Sequence, residues 1–121
     1  MTHQAHTVEK IGGTSMTRTQ ELLDSLFLNG GEDPYNRIFV VSAYGGITNL
    51  LLEHKKTGDA GVYARFANSD NDHGWHEALD KVAEAMTEAH GKVLEHSADI
   101  ERADGFVRER IEGARNCLID L

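Results

Sequence analysis

Hydrophobic and polar positions in the first half of the chain predict a strand, a helix and a second strand. Residues 7–11 are a short run rich in β-branched side chains that two glycines end, which is typical of a strand. Residues 38–41 are apolar without alternation, which indicates a parallel strand covered on both faces. Between them the pattern has helical spacing and ends near residues 29–31, with apolar positions at Leu22, Leu23, Leu26 and Phe27. This order predicts a βαβ unit.

The second half of the chain has mainly helical periodicity. A helix is predicted from Thr48, ended by the lysines and the glycine of residues 55–58. Residues 59–74 are mixed and predict no element. Two amphipathic stripes with a break at residues 97–99 then predict a helical hairpin over about residues 75–121. The stripe positions are Leu79, Val82, Met86, Ala89 and Val93, and then Phe106 or Val107, Ile111, Ala114, Leu118 and Leu121.

Composition narrows the class of protein. The 121 residues are 40% hydrophobic, so the chain can bury a core and is expected to hold one domain at most. Twenty acidic residues against 12 basic ones give a formal net charge of −8, which argues against nucleic-acid partners and anionic membranes. A secretory signal and a membrane-spanning run are not seen, so we expect a cytoplasmic protein.

Two glycine-rich turns carry the candidate chemistry. Residues 10–15 (KIGGTS) and 42–49 (SAYGGITN) each follow a predicted strand and precede a predicted helix. In an α/β sheet both turns would lie at the carboxyl ends of strands, where such folds bind ligands. Glycines let the backbone approach an anion closely, and Lys10 adds a positive charge beside the first turn. A simple turn without a ligand is the alternative for each glycine pair, and neither turn is a Walker loop or a dinucleotide fingerprint.

The two turns together resemble the signatures of aspartate kinases. Residues 10–15 are similar to the K-[FIV]-G-G-T-S signature, and residues 40–49 to V-V-S-A-x-x-G-[VI]-T-[ND]. Order, separation and strand–turn–helix context all agree with that family. Related amino-acid kinases share the first glycine turn but usually lack the Thr-Ser that follows it. Residues 34–46 and 52–58 further resemble aspartate kinases associated with ectoine synthesis.

The resemblance implies a fold and an activity. The fold would be α/β, a three-layer α/β/α sandwich with a mainly parallel sheet, the amino-acid kinase fold, incomplete in this chain. The activity would be transfer of the γ-phosphate of ATP, bound with Mg²⁺, to the side-chain carboxylate of L-aspartate. The product would be 4-phospho-L-aspartate, the first intermediate towards lysine, threonine and methionine, or towards ectoine. The complete enzyme would be a cytoplasmic transferase and a homo-oligomer.

The resemblance also implies residue roles. Lys10 would contact the transferred phosphoryl group and act as the catalytic residue. The ATP phosphates would lie against Lys10, Ile11, Gly12, Gly13, Thr14 and Ser15. Aspartate would be held by Ser42, Ala43, Gly45, Gly46 and Thr48. No residue is assigned as a protein ligand of a metal.

The resemblance places residues 1–121 in the N-terminal, substrate-side part of a kinase domain. The nucleotide-binding half and the regulatory domains are not found in these residues, and the sequence stops on an apolar, periodic stretch without a helix cap. We therefore expect a piece of a longer protein that is inactive alone. Two alternatives stay open: another small-molecule kinase of the same superfamily, and a non-catalytic binding module with this fold.

Other residues that could carry chemistry are better explained by structure. The histidines, with Asp70, Asp72, His73 and His76 close together, match no metal-ligand spacing and indicate a solvated surface. Cys117 is predicted to be a small core residue, and Trp75 to pack the hairpin. The hairpin is expected to face its own core, with a subunit contact or a cover over the cleft as the alternative.

Overall fold

The two predicted strands pair in parallel in the computed structural model, which describes residues 5–12, 18–22, 24, 36–68 and 74–121. The chain divides into two units, Met1–Gly45 and Gly46–Leu121, and each is described by itself. The α/β prediction is confirmed at this level, as a two-stranded parallel sheet with helices. The elements are β1 (Thr7–Ile11), α1 (Thr19–Leu22), β2 (Arg37–Val41), α2 (Ile47–Leu51), α3 (Val62–Ala67), α4 (Gly74–Val93) and α5 (Ser97–Ile119).

The sheet of the first unit runs in one register from end to end. Thr7 pairs with Arg37 and Ile11 pairs with Val41, so both strands end at the same edge. The prediction that β2 is covered on both faces is wrong for this chain, because Ile38, Val40 and Val41 are each about half exposed. A strand buried on both faces needs a layer on each side of the sheet. Leu23, Leu26 and Phe27 of the predicted first helix, and the side chain of Leu22, lie outside the described residues.

The core of the second unit lies between α4 and α5, as the two stripes predict. Leu79 and Val82 of α4 are almost fully buried, and Val107 and Ile111 of α5 are buried with them. Trp75 is also buried and meets the ring of Phe66 on α3 edge to face, with centroids 5.6 Å apart. The described structure therefore confirms Trp75 as a packing residue.

Arg115 and His90 tie the two helices of the hairpin together. Arg115 on α5 donates to Oδ1 of Asp80 at 2.5 Å and lies 2.8 Å from Nδ1 of His76, both on α4. Burial of this guanidinium favours its neutral form, but its bonds to Asp80 and Glu112 outweigh burial and raise the pKa of Arg115. Nδ1 of His90 lies 2.8 Å from the carboxylate of Asp104 nearer the connecting loop. These contacts fix an antiparallel hairpin.

Tertiary contacts correct three sequence predictions in this unit. The helix predicted to reach the 55–58 segment ends at Leu51, and a tight turn follows that is closed by the Glu53–Ala60 bridge. Residues 62–67, for which no element was predicted, form α3. The break in the hairpin lies at residues 94–96, and α5 begins at Ser97.

Two further corrections concern the outer surface of α5. Cys117 is exposed, so the prediction of a small core residue is wrong. Phe106 and Leu121 are exposed as well, and Val107 takes the core position that Phe106 could have taken. A helix that packs against a single neighbour buries one stripe only, and Val107 and Ile111 already occupy it.

Candidate active site

The carboxyl edge of the sheet brings the starts of the two glycine-rich turns together. Lys10 pairs with Val40 and Ile11 with Val41, so Gly12 and Ser42 leave the sheet side by side. Lys10 and Ser42 are both exposed, which leaves the ammonium and the hydroxyl accessible at this edge. The carboxyl edge of a parallel sheet is where α/β folds bind ligands, and the described part of the first turn lies there as predicted.

The described residues leave open space beside the backbone of Gly12. Among the described residues, a Cβ atom placed on Gly12 would meet no other atom within 4 Å. Packing against that part of the chain therefore does not require glycine at position 12. Gly13, Thr14 and Ser15, the other predicted phosphate-binding residues, lie outside the described residues.

The second turn leads from β2 into α2. Ser42, Ala43 and Gly45 belong to the first unit, and all three are exposed. Gly46 and Thr48 belong to the second unit, where Gly46 stands at the N-cap of α2 with φ of 86°. This left-handed conformation favours glycine, so the second glycine of the turn has a backbone role of its own. Thr48 is an exposed residue of the first turn of α2, and the neighbouring Ile47 is buried.

A part-buried ion pair close to the candidate site was missed from the sequence. On the sheet face opposite to Lys10, Arg37 donates from Nε and Nη2 to the two carboxylate oxygens of Glu9, each at 2.6 Å. Hydrogen bonding by Arg37 holds the pKa of Glu9 below its ordinary value of 4.5. The signal was an acidic residue in β1 and a basic residue in β2, and only the register shows that the two residues meet.

A close backbone approach at Gly61 was missed as well. Its N–H donates to the carbonyl of Leu52 at 3.0 Å. A Cβ atom on Gly61 would clash with the carbonyl oxygen of Leu50 and would lie 2.7 Å from that of Leu52 and 2.8 Å from that of Asn49. This glycine lets the segment before α3 pass over the end of α2.

The described residues hold neither a candidate metal cluster nor a candidate membrane span. No group of three or more histidine, cysteine, aspartate or glutamate side chains that could hold a metal ion occurs among them. Asp70, Asp72 and His73 of the histidine-rich segment lie outside that part of the chain. Within the same residues, no helix has the length and apolar character needed to cross a bilayer.

Comparison with known proteins supports the resemblance to aspartate kinases that the two glycine-rich segments indicate. The chain is 48% identical over 118 residues, 96% of its length, to the aspartate kinase Ask_Ect of Stutzerimonas stutzeri (strain A1501). This chain is similar to part of an aspartate kinase. The resemblance predicted from the two glycine-rich turns is thus confirmed.

The match covers only part of the relative, because the chain spans about a quarter of the length of Ask_Ect. The activity of a whole aspartate kinase is therefore a proposal for this chain. No protein-family model matches the chain. No solved structure matches it either.

Proposed function

We propose that this chain forms the substrate-side part of an aspartate kinase. A carboxylate oxygen of L-aspartate would attack the γ-phosphorus of ATP, and the bond from that phosphorus to the β–γ bridging oxygen would break. The products are 4-phospho-L-aspartate and ADP. The observation that carries the proposal is the register that brings Lys10, Gly12 and Ser42 to one sheet edge, in a chain 48% identical to Ask_Ect over nearly its whole length.

The first turn would bind the phosphates of ATP, which enters as its Mg²⁺ complex. Open space at Gly12 suits backbone contact with a phosphate oxygen, and Gly13, Thr14 and Ser15 would continue the same turn. Charge shifts among the phosphate oxygens during transfer, so the ammonium of Lys10 would stabilise the transition state more than the ground state. Positioning and charge neutralisation are the main demands of phosphoryl transfer.

The second turn would bind L-aspartate. The hydroxyls of Ser42 and Thr48 can donate to carboxylate oxygens, and the exposed backbone of Ala43, Gly45 and Gly46 provides further polar groups. A hydrogen bond to a charged group contributes about 1.5–3 kcal/mol, enough to select the substrate. Because the strands place the starts of both turns at one edge, donor and acceptor would meet there.

The wider setting of the enzyme follows from the same resemblance. We propose that the complete kinase works in the cytoplasm as a homo-oligomer. Its product would enter ectoine synthesis, or that of lysine, threonine and methionine. The name of Ask_Ect and the similarity of residues 34–46 and 52–58 favour the ectoine branch.

A chimaeric enzyme tests the proposed activity directly. In this chimaera, residues 1–121 replace the aligned segment of Ask_Ect. Hydroxylamine converts an acyl phosphate into a hydroxamate, so aspartyl hydroxamate formed with ATP and aspartate reports the reaction. We expect activity in the chimaera, much less in its Lys10→Ala variant, and none in the 121-residue chain alone.

A substrate panel separates the alternatives. Glutamate, N-acetylglutamate and a nucleoside monophosphate are offered to the chimaera beside aspartate. Preference for one of these would assign a different kinase of the superfamily. A folded chimaera that phosphorylates none of the four substrates would favour a non-catalytic binding module.

A further inference from the structure

The ion pair between the two strands is bidentate. Arg37 donates from Nε and Nη2 to both carboxylate oxygens of Glu9, each at 2.6 Å, and its side chain is 6% exposed. The guanidinium also lies over the ring of Phe39, 4.7 Å from its centroid. A planar fork that meets a carboxylate with two parallel bonds accepts few other arrangements.

The hydrophobic pattern of the strands does not by itself fix their register. A slip of two residues returns every side chain to the face it already occupies, because side chains alternate along a strand. Among the described residues, the face with Val8, Ile38 and Val40 is largely exposed and would lose little burial in such a slip, whereas the opposite face carries the buried Ile11. At about 3.3 Å per residue, the slip would move one strand end past the other by about 6.6 Å.

The bonds from Arg37 to Glu9 and the contact with the Phe39 ring occur together in the observed register. Arg37 is the register partner of Thr7, and Glu9 is the partner of Phe39. The side chain of Arg37 therefore runs two residues along its own strand, over Phe39, to reach Glu9. A slip that pairs Glu9 with Val41 would move the carboxylate out of reach of Arg37. A slip in the other direction would set Glu9 directly opposite Arg37, where the observed bonds over the Phe39 ring would not be kept.

From this geometry we infer that Glu9 and Arg37 are positioning residues that lock the strand register and so set the Lys10–Gly12 turn against Ser42. The inference rests on the proposed function, in which these turns hold the phosphoryl donor and its acceptor. Reacting atoms need to approach within about 3–3.5 Å, so a displacement of about 6.6 Å would abolish transfer in the slipped molecules. Glu9 and Lys10 are neighbours in a strand and point to opposite faces, so the pair acts through the backbone.

Cysteine cross-linking measures the register independently of catalysis. In the chimaera, Val8→Cys with Ile38→Cys reports the register observed here, because these positions are Cα partners. Val8→Cys with Val40→Cys reports the slip of two residues that pairs Glu9 with Val41 and takes it away from Arg37. Mass spectrometry of the linked peptides identifies each disulfide. The inference predicts that Arg37→Met raises the yield of the slipped disulfide at least about fivefold at the expense of the native one, with Arg37→Lys intermediate because it keeps the charge but loses the fork.

Steady-state kinetics supplies the second measurement. In the chimaera, Arg37→Met is expected to lower kcat at least about tenfold, while KM for ATP and for aspartate each change less than about threefold. Molecules in the native register would bind both substrates normally, so the KM values change little. Slipped molecules would not transfer the phosphoryl group, so kcat falls. The matched control is Lys92→Met, which breaks the exposed Lys92–Glu88 pair on α4 and should change neither kcat nor cross-linking.

The outcomes separate the inference from the proposed function. An unchanged disulfide pattern in folded Arg37→Met overturns the register lock, whether or not kcat falls. Slipped disulfide with unchanged kcat overturns the link to catalysis. If Arg37→Met does not fold, Glu9→Gln removes the charge from the exposed side of the pair and provides the same two measurements. An inactive parent chimaera contradicts the proposed function, while cross-linking still decides the register.

Discussion

Nδ1 of His90 on α4 lies 2.8 Å from Oδ1 of Asp104 on α5, and both side chains are largely withdrawn from solvent. This contact joins the two helices close to the loop at residues 94–96. At the opposite end of the hairpin, Arg115 makes the corresponding connection to His76 and Asp80. Between the two connections lies the apolar core of Leu79, Val82, Val107 and Ile111.

Replacing Asp104 by alanine should destabilise the second unit. The change removes the carboxylate that meets the buried ring of His90, and losing such a partner costs about 1–3 kcal/mol. Urea unfolding of the chain, followed by helical circular dichroism, measures the effect. Asp99→Ala is the control, because its 3.6 Å pair with Arg102 is exposed. Equal midpoints for the two variants would refute a stabilising role for the His90–Asp104 contact.

Replacing Gly61 by alanine should also destabilise the chain. The added methyl group would meet the carbonyl oxygens of Leu50, Leu52 and Asn49, which are backbone atoms that cannot rotate away. Overpacking of this kind costs about 1–3 kcal/mol. The matched control is Gly91→Ala in α4, which has open space around its Cβ position and should be neutral or stabilising. Gly61→Ala should therefore lower the urea midpoint, whereas Gly91→Ala should leave it unchanged or raise it.

Stability should depend on pH through Glu9. Because the folded pKa of Glu9 lies below its ordinary value of 4.5, its contribution is present above that value and is lost as pH falls through the folded pKa. Glu9→Gln should therefore be less stable than the parent at about pH 7, and the difference should shrink below about pH 4. Urea midpoints at both pH values test this, with the exposed Glu88→Gln as control. A stability difference between Glu9→Gln and the parent that is larger in acid than at neutral pH would contradict a stabilising role for the ionised Glu9.

Lys10→Ala in the chimaera should lower kcat far more than it weakens binding of either substrate. Removal of a group aimed at developing charge costs about 3–4 kcal/mol, or about 10²- to 10³-fold in rate. Lys10→Arg should not restore the rate fully, because a planar fork does not replace a compact ammonium. A kcat within a few-fold of the parent at saturating substrates would remove Lys10 from the catalytic residues.

Thr48→Ala in the chimaera should raise KM for aspartate much more than KM for ATP. Losing a hydroxyl that bonds a carboxylate costs about 1.5–3 kcal/mol, or about 10- to 100-fold. Thr48 is exposed at the start of α2, so truncating it should leave folding intact. Ile47→Ala is the contrasting change, since Ile47 is buried and its loss should lower stability. Equal effects of Thr48→Ala on both KM values would indicate a general structural role.

The local patterns were sufficient for several elements of the fold. The β-branched run at residues 7–11 and the apolar run at 38–41 predicted both strands, and unbroken hydrophobicity predicted their parallel pairing. The stripes containing Leu79, Val82 and Ile111 predicted the hairpin and most of its core. Glycine pairs after the strands predicted where each strand ends, and both strands end at the carboxyl edge of the sheet. Each of these predictions rests on a periodicity or a turn preference, which depends only on residues close together in the sequence.

The early end of α2 and the presence of α3 depend on contacts that periodicity does not contain. In the turn that ends α2, Nδ1 of His54 accepts hydrogen bonds from the N–H groups of Lys56 and Thr57, and Gly58 has φ of 75°. Gly61 then allows the chain to pass over the end of α2. Side-chain hydrogen bonds and a close backbone approach of this kind leave no hydrophobic periodicity, so the periodicity could not predict the turn.

The sequence by itself determined the strands, the hairpin and the points at which the two glycine-rich segments leave the sheet, because the residues that produce each of them are close neighbours in the chain. Tertiary structure alone decided that Glu9 meets Arg37, that His90 meets Asp104, and that Val107 is buried while Cys117 is exposed. Such pairings depend on strand register and on the rotation of one helix against another. Both are set by the sum of many distant contacts, which no local pattern specifies.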